Sequence, residues 1–121
     1  MLTIFMLIDI DAIDFAASDV LQFENAFNPY EERQIFVNLC IRKAVAVQEV
    51  KQEILYRAQE LEATGIKGLD ALHIACAEAL KADYFLTCDD RLIKRYNGHM
   101  KVQNPVDFAL NFLKKEDANG D

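Results

Sequence analysis

Apolar residues along this chain recur in two rhythms, and the switches between them mark out its elements. Residues 12–17 (Ala-Ile-Asp-Phe-Ala-Ala) read as a short strand. Ser18 then offers a helix N-cap, with Asp19 favourably placed in the first turn, and Val20, Leu21, Phe23 and Phe27 follow as far as Asn28-Pro29. Pro29 suits a first helical turn with Glu31 and Glu32 at the positive end of the dipole, and Ile35, Phe36, Leu39 and Cys40 recur at helical spacing. Residues 44–47 predict a strand, and 50–63 a helix with Ile54, Ala58 and Leu61 on one face. Residues 64–68 (Thr-Gly-Ile-Lys-Gly) break the pattern before an alanine-rich helix over 69–81, whose small side chains permit close approach to a sheet. A buried strand over 83–88, a brief helix over 89–96, a strand over 101–103 and a helix over 105–113 complete the pattern. Strands separated by helices imply βαβ units and a parallel sheet covered on both faces, so the fold class is α/β. In such folds ligands bind where the carboxyl ends of the strands open toward solvent.

The first ten residues are almost wholly apolar, yet too few to span a membrane. They carry no cationic leader, and Asp9, Asp11 and Asp14 stand where a signal peptide would place small residues. The segment therefore reads as a piece of core.

At 121 residues the chain has room for one domain and one core. Its 52% hydrophobic content excludes bulk disorder, and four glycines and two prolines suit long regular elements better than an all-β sandwich. A formal net charge of -7 argues against a broad cationic grip on nucleic acid, but is compatible with carboxylates gathered around a metal. Cys40, Cys76 and Cys88 form no CxxC and leave one thiol unpaired in any disulfide scheme, which suits reduced thiols in a cytoplasm and gives no zinc spacing. No phosphate-binding glycine loop is present.

Three carboxylates stand out. Glu24 shares a helical face with Val20, Leu21 and Phe27; Asp70 opens the alanine-rich helix just after a glycine; Asp89 follows the buried run Tyr84-Phe85-Leu86, with Asp90 beside it. Each has an ordinary reading: Asp70 and Asp89 as helix caps, and Glu24 as a snorkelling or lysine-paired surface residue. Together at one sheet edge they would repel one another unless a cation neutralised them, and Mg²⁺ or Mn²⁺ does this with few protein oxygens.

The stretches Ser18 to Glu24, Gly68-Leu-Asp-Ala-Leu-His-Ile-Ala-Cys-Ala77 and Ala82-Asp-Tyr-Phe-Leu-Thr-Cys-Asp-Asp-Arg-Leu92 closely resemble the PIN domain family in order and spacing, over roughly Ile13 to Phe112. The resemblance implies a three-layer α/β/α fold with a central parallel sheet, and Mg²⁺- or Mn²⁺-dependent hydrolysis of single-stranded RNA in the manner of VapC-type toxins. It implies that Glu24, Asp70 and Asp89 are catalytic metal ligands, with Asp90 a further metal contact and Thr87 orienting the site. A cognate antitoxin, a homodimer and a cytoplasmic location are also implied. The family's opening strand, which ends in an aspartate ligand, has no counterpart of matching placement. Asp9 and Asp11 are the nearest substitutes, so an N-terminally truncated PIN-like domain is expected over residues 1–113, with 114–121 a disordered polar tail. Losing that strand would expose ladder edges and apolar surface, which residues 1–10 or dimerisation would cover.

His73, three positions after Asp70, reads as a ligand or a core histidine. Arg91, Lys94 and Arg95, with Lys101, read as a phosphate-holding RNA contact or a solvated face. Cys88 reads as core rather than nucleophile. Against the ribonuclease stands a catalytically inactive remnant that only dimerises or binds a partner. A phospho-accepting receiver domain fits poorly, because no paired early acidic residues and no strand-end aspartate–threonine–lysine series appear in order.

Overall fold

The structure, a computed structural model, describes residues 2–119. A helix α1 (Leu2–Asp9) precedes β1 (Ala16–Ser18), α2 (Asp19–Ala26), α3 (Glu31–Arg42) and β2 (Ala46–Gln48). A hairpin of α4 (Gln52–Ala63) and α5 (Gly68–Ala79) leads to β3 (Tyr84–Leu86), α6 (Asp90–Arg95), β4 (Lys101–Gln103) and α7 (Pro105–Asn119). The fold is α/β with parallel strands throughout the described residues, as the alternation of the sequence requires.

The core is built on α5. Ala71 and Ile74 are fully buried, with Ala75 and Cys76 nearly so. Ile54, Ala58 and Leu61 of α4 lie in the same cluster, and Phe85 and Val102 pack against it from β3 and β4. Small residues let α4 and the strands approach closely. Burying the Ile74 side chain contributes on the order of 2–3 kcal/mol.

The corners before and after α5 close the same way. After α4, the Gly65 N–H donates to the Glu62 carbonyl and the Ile66 N–H to the Leu61 carbonyl, with Gly65 at φ 100° and Ile66 buried beneath the turn. After α5, the Lys81 and Ala82 N–H groups repeat this on Glu78 and Ala77, but Lys81 adopts φ 59° without being glycine.

Several elements differ locally from the sequence pattern. Pro29 stands outside α3 rather than in its first turn. Asn28 Oδ1 accepts the Tyr30 N–H at 3.0 Å, a turn that holds the chain extended until Tyr30 caps the helix. The apolar start is helical, with Leu7 and Ile8 buried, Phe5 5.5 Å from Phe36, and Met6 and Ile10 exposed. An unbroken apolar run carries no period-2 alternation, so its pattern alone does not separate helix from strand. Cys88 is exposed rather than core, because β3 ends at Leu86 and strand alternation no longer governs position 88. Helix α7 continues through Asn119 into the polar stretch expected as a tail; residues 120 and 121 lie outside the described residues.

The strands form two parallel pairs, β1–β2 (Ala16 opposite Ala46) and β3–β4 (Tyr84 opposite Lys101). Among the described residues no strand joins one pair to the other, so the single central sheet expected from the resemblance is divided. Helix α5 packs against β1 and β2, and Phe85 of β3 packs against the core cluster that α5 anchors.

Candidate functional site: an acidic rim

Each acidic residue is placed by a short local device. Ser18, at the end of β1, caps α2 by accepting the Leu21 N–H at 3.1 Å, which starts the helix that carries Glu24. Asp70 lies in the first turn of α5, where the aligned backbone dipoles favour a negative charge. Beyond β3, the Thr87 N–H is tied to the Gln103 carbonyl at 2.9 Å, and Thr87 Oγ1 accepts the Asp89 N–H at 3.1 Å. Asp89 Oδ1 in turn caps α6, accepting the Arg91 and Leu92 N–H groups at 2.9 and 3.3 Å. The capping reading of Asp89 is therefore realised, and its second oxygen stands outside these bonds.

Three of the residues meet electrostatically at Asp70. This half-buried carboxyl is held above its ordinary value, first by burial, then by the negative charges of Asp89 and Glu24; His73 and Lys67 oppose the shift. Glu24 is exposed on α2 and turns toward α5, its Oε2 3.3 Å from His73 Nε2. His73 is 13% exposed in its side chain, with its ring 6.4 Å from that of Phe85, so it bridges the acidic rim and the core. The interaction with Glu24 was not legible in the sequence; the only signal was that residues 70 and 73 share one side of a helix.

The remaining candidates sit further out. Asp90 is exposed at the first position of α6 and is not among the charges acting on Asp70. Arg91, Lys94 and Arg95 are exposed, and the Arg95 guanidinium turns back to the Thr64 carbonyl at 3.5 Å. Asp9 pairs with Lys43 at 2.7 Å, and Asp11 lies in the turn after α1 at φ 58°. Neither acts on Asp70.

The donor chemistry of the rim suits a hard divalent cation. Its groups are carboxylate oxygens, those of Asp89 and Glu24 raise the cost of ionising Asp70, and among the described residues Asp70 has no ion-pair partner. No group of three or more His, Cys, Asp or Glu side chains among the described residues closes into a complete ligand set. Mg²⁺ keeps several waters and takes one or two carboxylates plus substrate phosphates, so Asp70 and the outer oxygen of Asp89 meet that requirement by type.

Short parallel strands packed around one alanine-rich helix, with Asp70 in that helix's first turn, Asp89 beyond β3 and Glu24 on α2, define the class: a small α/β domain with an acidic rim. A family model for the PIN domain matches residues 17–98, more than half of the chain and the whole of this rim, and the chain belongs to the PIN domain family. That family lies within a nuclease superfamily and is generally dependent on divalent metals. No curated protein and no solved structure matches the chain significantly. No helix among the described residues is long and apolar enough to cross a membrane.

Proposed function

We propose that the protein is an endoribonuclease of the VapC toxin type, cleaving single-stranded RNA with Mg²⁺ or Mn²⁺ bound at the acidic rim. The observation that carries this reading is the half-buried Asp70, which bears the charges of Asp89 and Glu24 without an ion-pair partner among the described residues. Asp70 and Asp89 hold the cation, with Glu24 approaching from α2 and Asp90 as an outer contact. A cation there supplies charge neutralisation at the phosphate and a water of lowered pKa. Thr87 fixes the backbone of Asp89, and His73 holds the Glu24 carboxylate in place. Arg91 and Lys94 are exposed on α6 beside Asp89, where they attract the RNA backbone.

A homodimer, a cognate antitoxin and a cytoplasmic setting belong to the same reading. The exposed apolar residues Ile35, Leu39, Val45 and Val47 on α3 and around β2 support a surface covered by a protein partner. The competing reading, a remnant without turnover, draws on the incomplete ligand set.

Cleavage of a fluorescent single-stranded oligoribonucleotide separates the two. Metal-dependent cleavage that EDTA stops and Asp70→Asn abolishes is expected. Cleavage indifferent to both treatments, or no cleavage in either metal, overturns the nuclease reading.

A further inference from the structure

Beside the acidic rim lies a groove of about 560 Å³ whose walls are Leu21, Phe23 and Phe27 of the α2 region, Val37 of α3 and Leu69 at the start of α5, with Glu24 among its lining residues. Phe23 and Phe27 are 61% and 73% exposed, a large area of aromatic surface to leave in water. They stand one helical turn apart on the same face, with ring centroids 5.1 Å apart and planes tilted by 57°.

The groove wall is built to hold its shape. Asn25, 5% exposed, donates through Nδ2 to the Gln34 carbonyl and to Asn38 Oδ1, both at 3.1 Å. Gln34 Nε2 returns a bond to the Asn25 carbonyl at 3.1 Å. These three bonds tie α2, which carries Phe23, to α3.

We propose that this groove is a stacking subsite for one unpaired nucleobase of single-stranded RNA, adjacent to the phosphate held at the acidic rim. The proposal rests on the nuclease reading and specifies how that site takes its substrate. Three observations select a base as occupant. The lining residues are apolar or amide-bearing apart from Glu24 and include no cation, so the groove repels a phosphate and accepts the uncharged face of a base. Glu24 lines the groove and also contacts His73 of α5, so groove and rim are continuous within one side chain. The volume lies within the range of small-molecule sites and exceeds what one base needs. With the two rings already in contact, no base fits between them. It stacks instead on an outer ring face, within a groove that Leu69 also lines. Aromatic stacking of this kind tolerates any base and favours single strands, whose bases are free to splay out.

The test is equilibrium binding of a labelled single-stranded oligouridylate to the full chain in EDTA, where cleavage is stopped, followed by fluorescence anisotropy. Phe27→Ala and Phe23→Ala, both at exposed positions with little bearing on the core, are each expected to weaken binding by at least about fivefold, which corresponds to about 1 kcal/mol per stacked base. Phe27→Trp should keep or tighten it. A duplex of the same sequence should be insensitive to all three changes.

Unchanged affinity in both alanine variants overturns the proposal. So does an equal loss on an oligomer of abasic ribose phosphates, or an effect confined to dissociation of a second copy of the chain. The nuclease reading is scored separately by metal-dependent cleavage. Stacking without cleavage would sink that reading and leave the subsite, whereas cleavage with unchanged affinity in the alanine variants would do the reverse.

Discussion

Arg57 grips Glu78 through two parallel bonds, Nε to Oε1 at 2.6 Å and Nη2 to Oε2 at 3.1 Å. Tyr96 adds its hydroxyl to the same Oε2 at 2.6 Å, so three elements meet at one carboxylate. Burial alone would raise the Glu78 carboxyl, but the bonds from Arg57 and Tyr96 outweigh it and hold the group below the ordinary carboxylate value of 4.5. Burial, reinforced by Glu78, pushes the Tyr96 hydroxyl from 10.0 up to about 12.

These two shifts act at opposite ends of the pH scale. The contribution of Glu78 is present above its ordinary 4.5 and is lost as pH falls through the lower folded value. That of Tyr96 is complete below 10.0 and is lost as pH rises through about 12, a difference on the order of 2–3 kcal/mol at 1.36 kcal/mol per pH unit. Tyr96→Phe should cost about 1.5–3 kcal/mol near neutrality, the worth of a hydrogen bond to a charged group. It should also flatten the alkaline limb of a plot of Tm against pH. An alkaline limb identical to that of the parent protein would show that the Tyr96–Glu78 bond contributes nothing.

Lys81 closes α5 in a left-handed conformation, at φ 59°, that glycine adopts without penalty. The strain costs an ordinary residue about 1–2 kcal/mol, partly offset by the extra freedom glycine has when unfolded. Lys81→Gly should therefore stabilise the protein by about 0.5–1 kcal/mol, read as a higher urea midpoint with an unchanged slope. A lower midpoint would mean that the lysine side chain makes contacts that outweigh its backbone strain.

Asp70 carries a stability cost that the proposed metal site would relieve. Its carboxyl is raised above 3.8 by burial and by Asp89 and Glu24, so its contribution to stability is full below 3.8 and is lost as pH rises through the folded value. At neutral pH the ionised group is a net cost. Asp70→Asn should accordingly raise Tm in EDTA at pH 7, with the gain vanishing at acid pH, while added Mg²⁺ stabilises the parent protein and not the variant. A fall in Tm in EDTA would instead mark Asp70 as a structural cap.

The sequence was most legible where the signal is short in range. Ser18 as a cap, the buried stripe Ile54, Ala58 and Leu61, and the strand Lys101–Gln103 all stand where local pattern puts them. So does Asp70 in the first turn of α5. What escaped was set by contacts distant along the chain or by competing local chemistry. Arg57, Glu78 and Tyr96 come from three separate helical regions and share no motif. Cys88 depended on where β3 stops, and Pro29 on a side-chain turn from Asn28. The pairing of Glu24 with His73 joins positions 49 apart, and no spacing rule reaches that far.

Asp70 and Glu78 stand at opposite ends of one rigid rod, eight residues and about 12 Å apart along α5 at 1.5 Å per residue. A clamp at one end of such a rod fixes the aim of the other. Loosening the Arg57–Glu78–Tyr96 anchor would let the far tip of α5 wander. The aim of Asp70 at the acidic rim is thereby set by a polar knot at the other end of its helix.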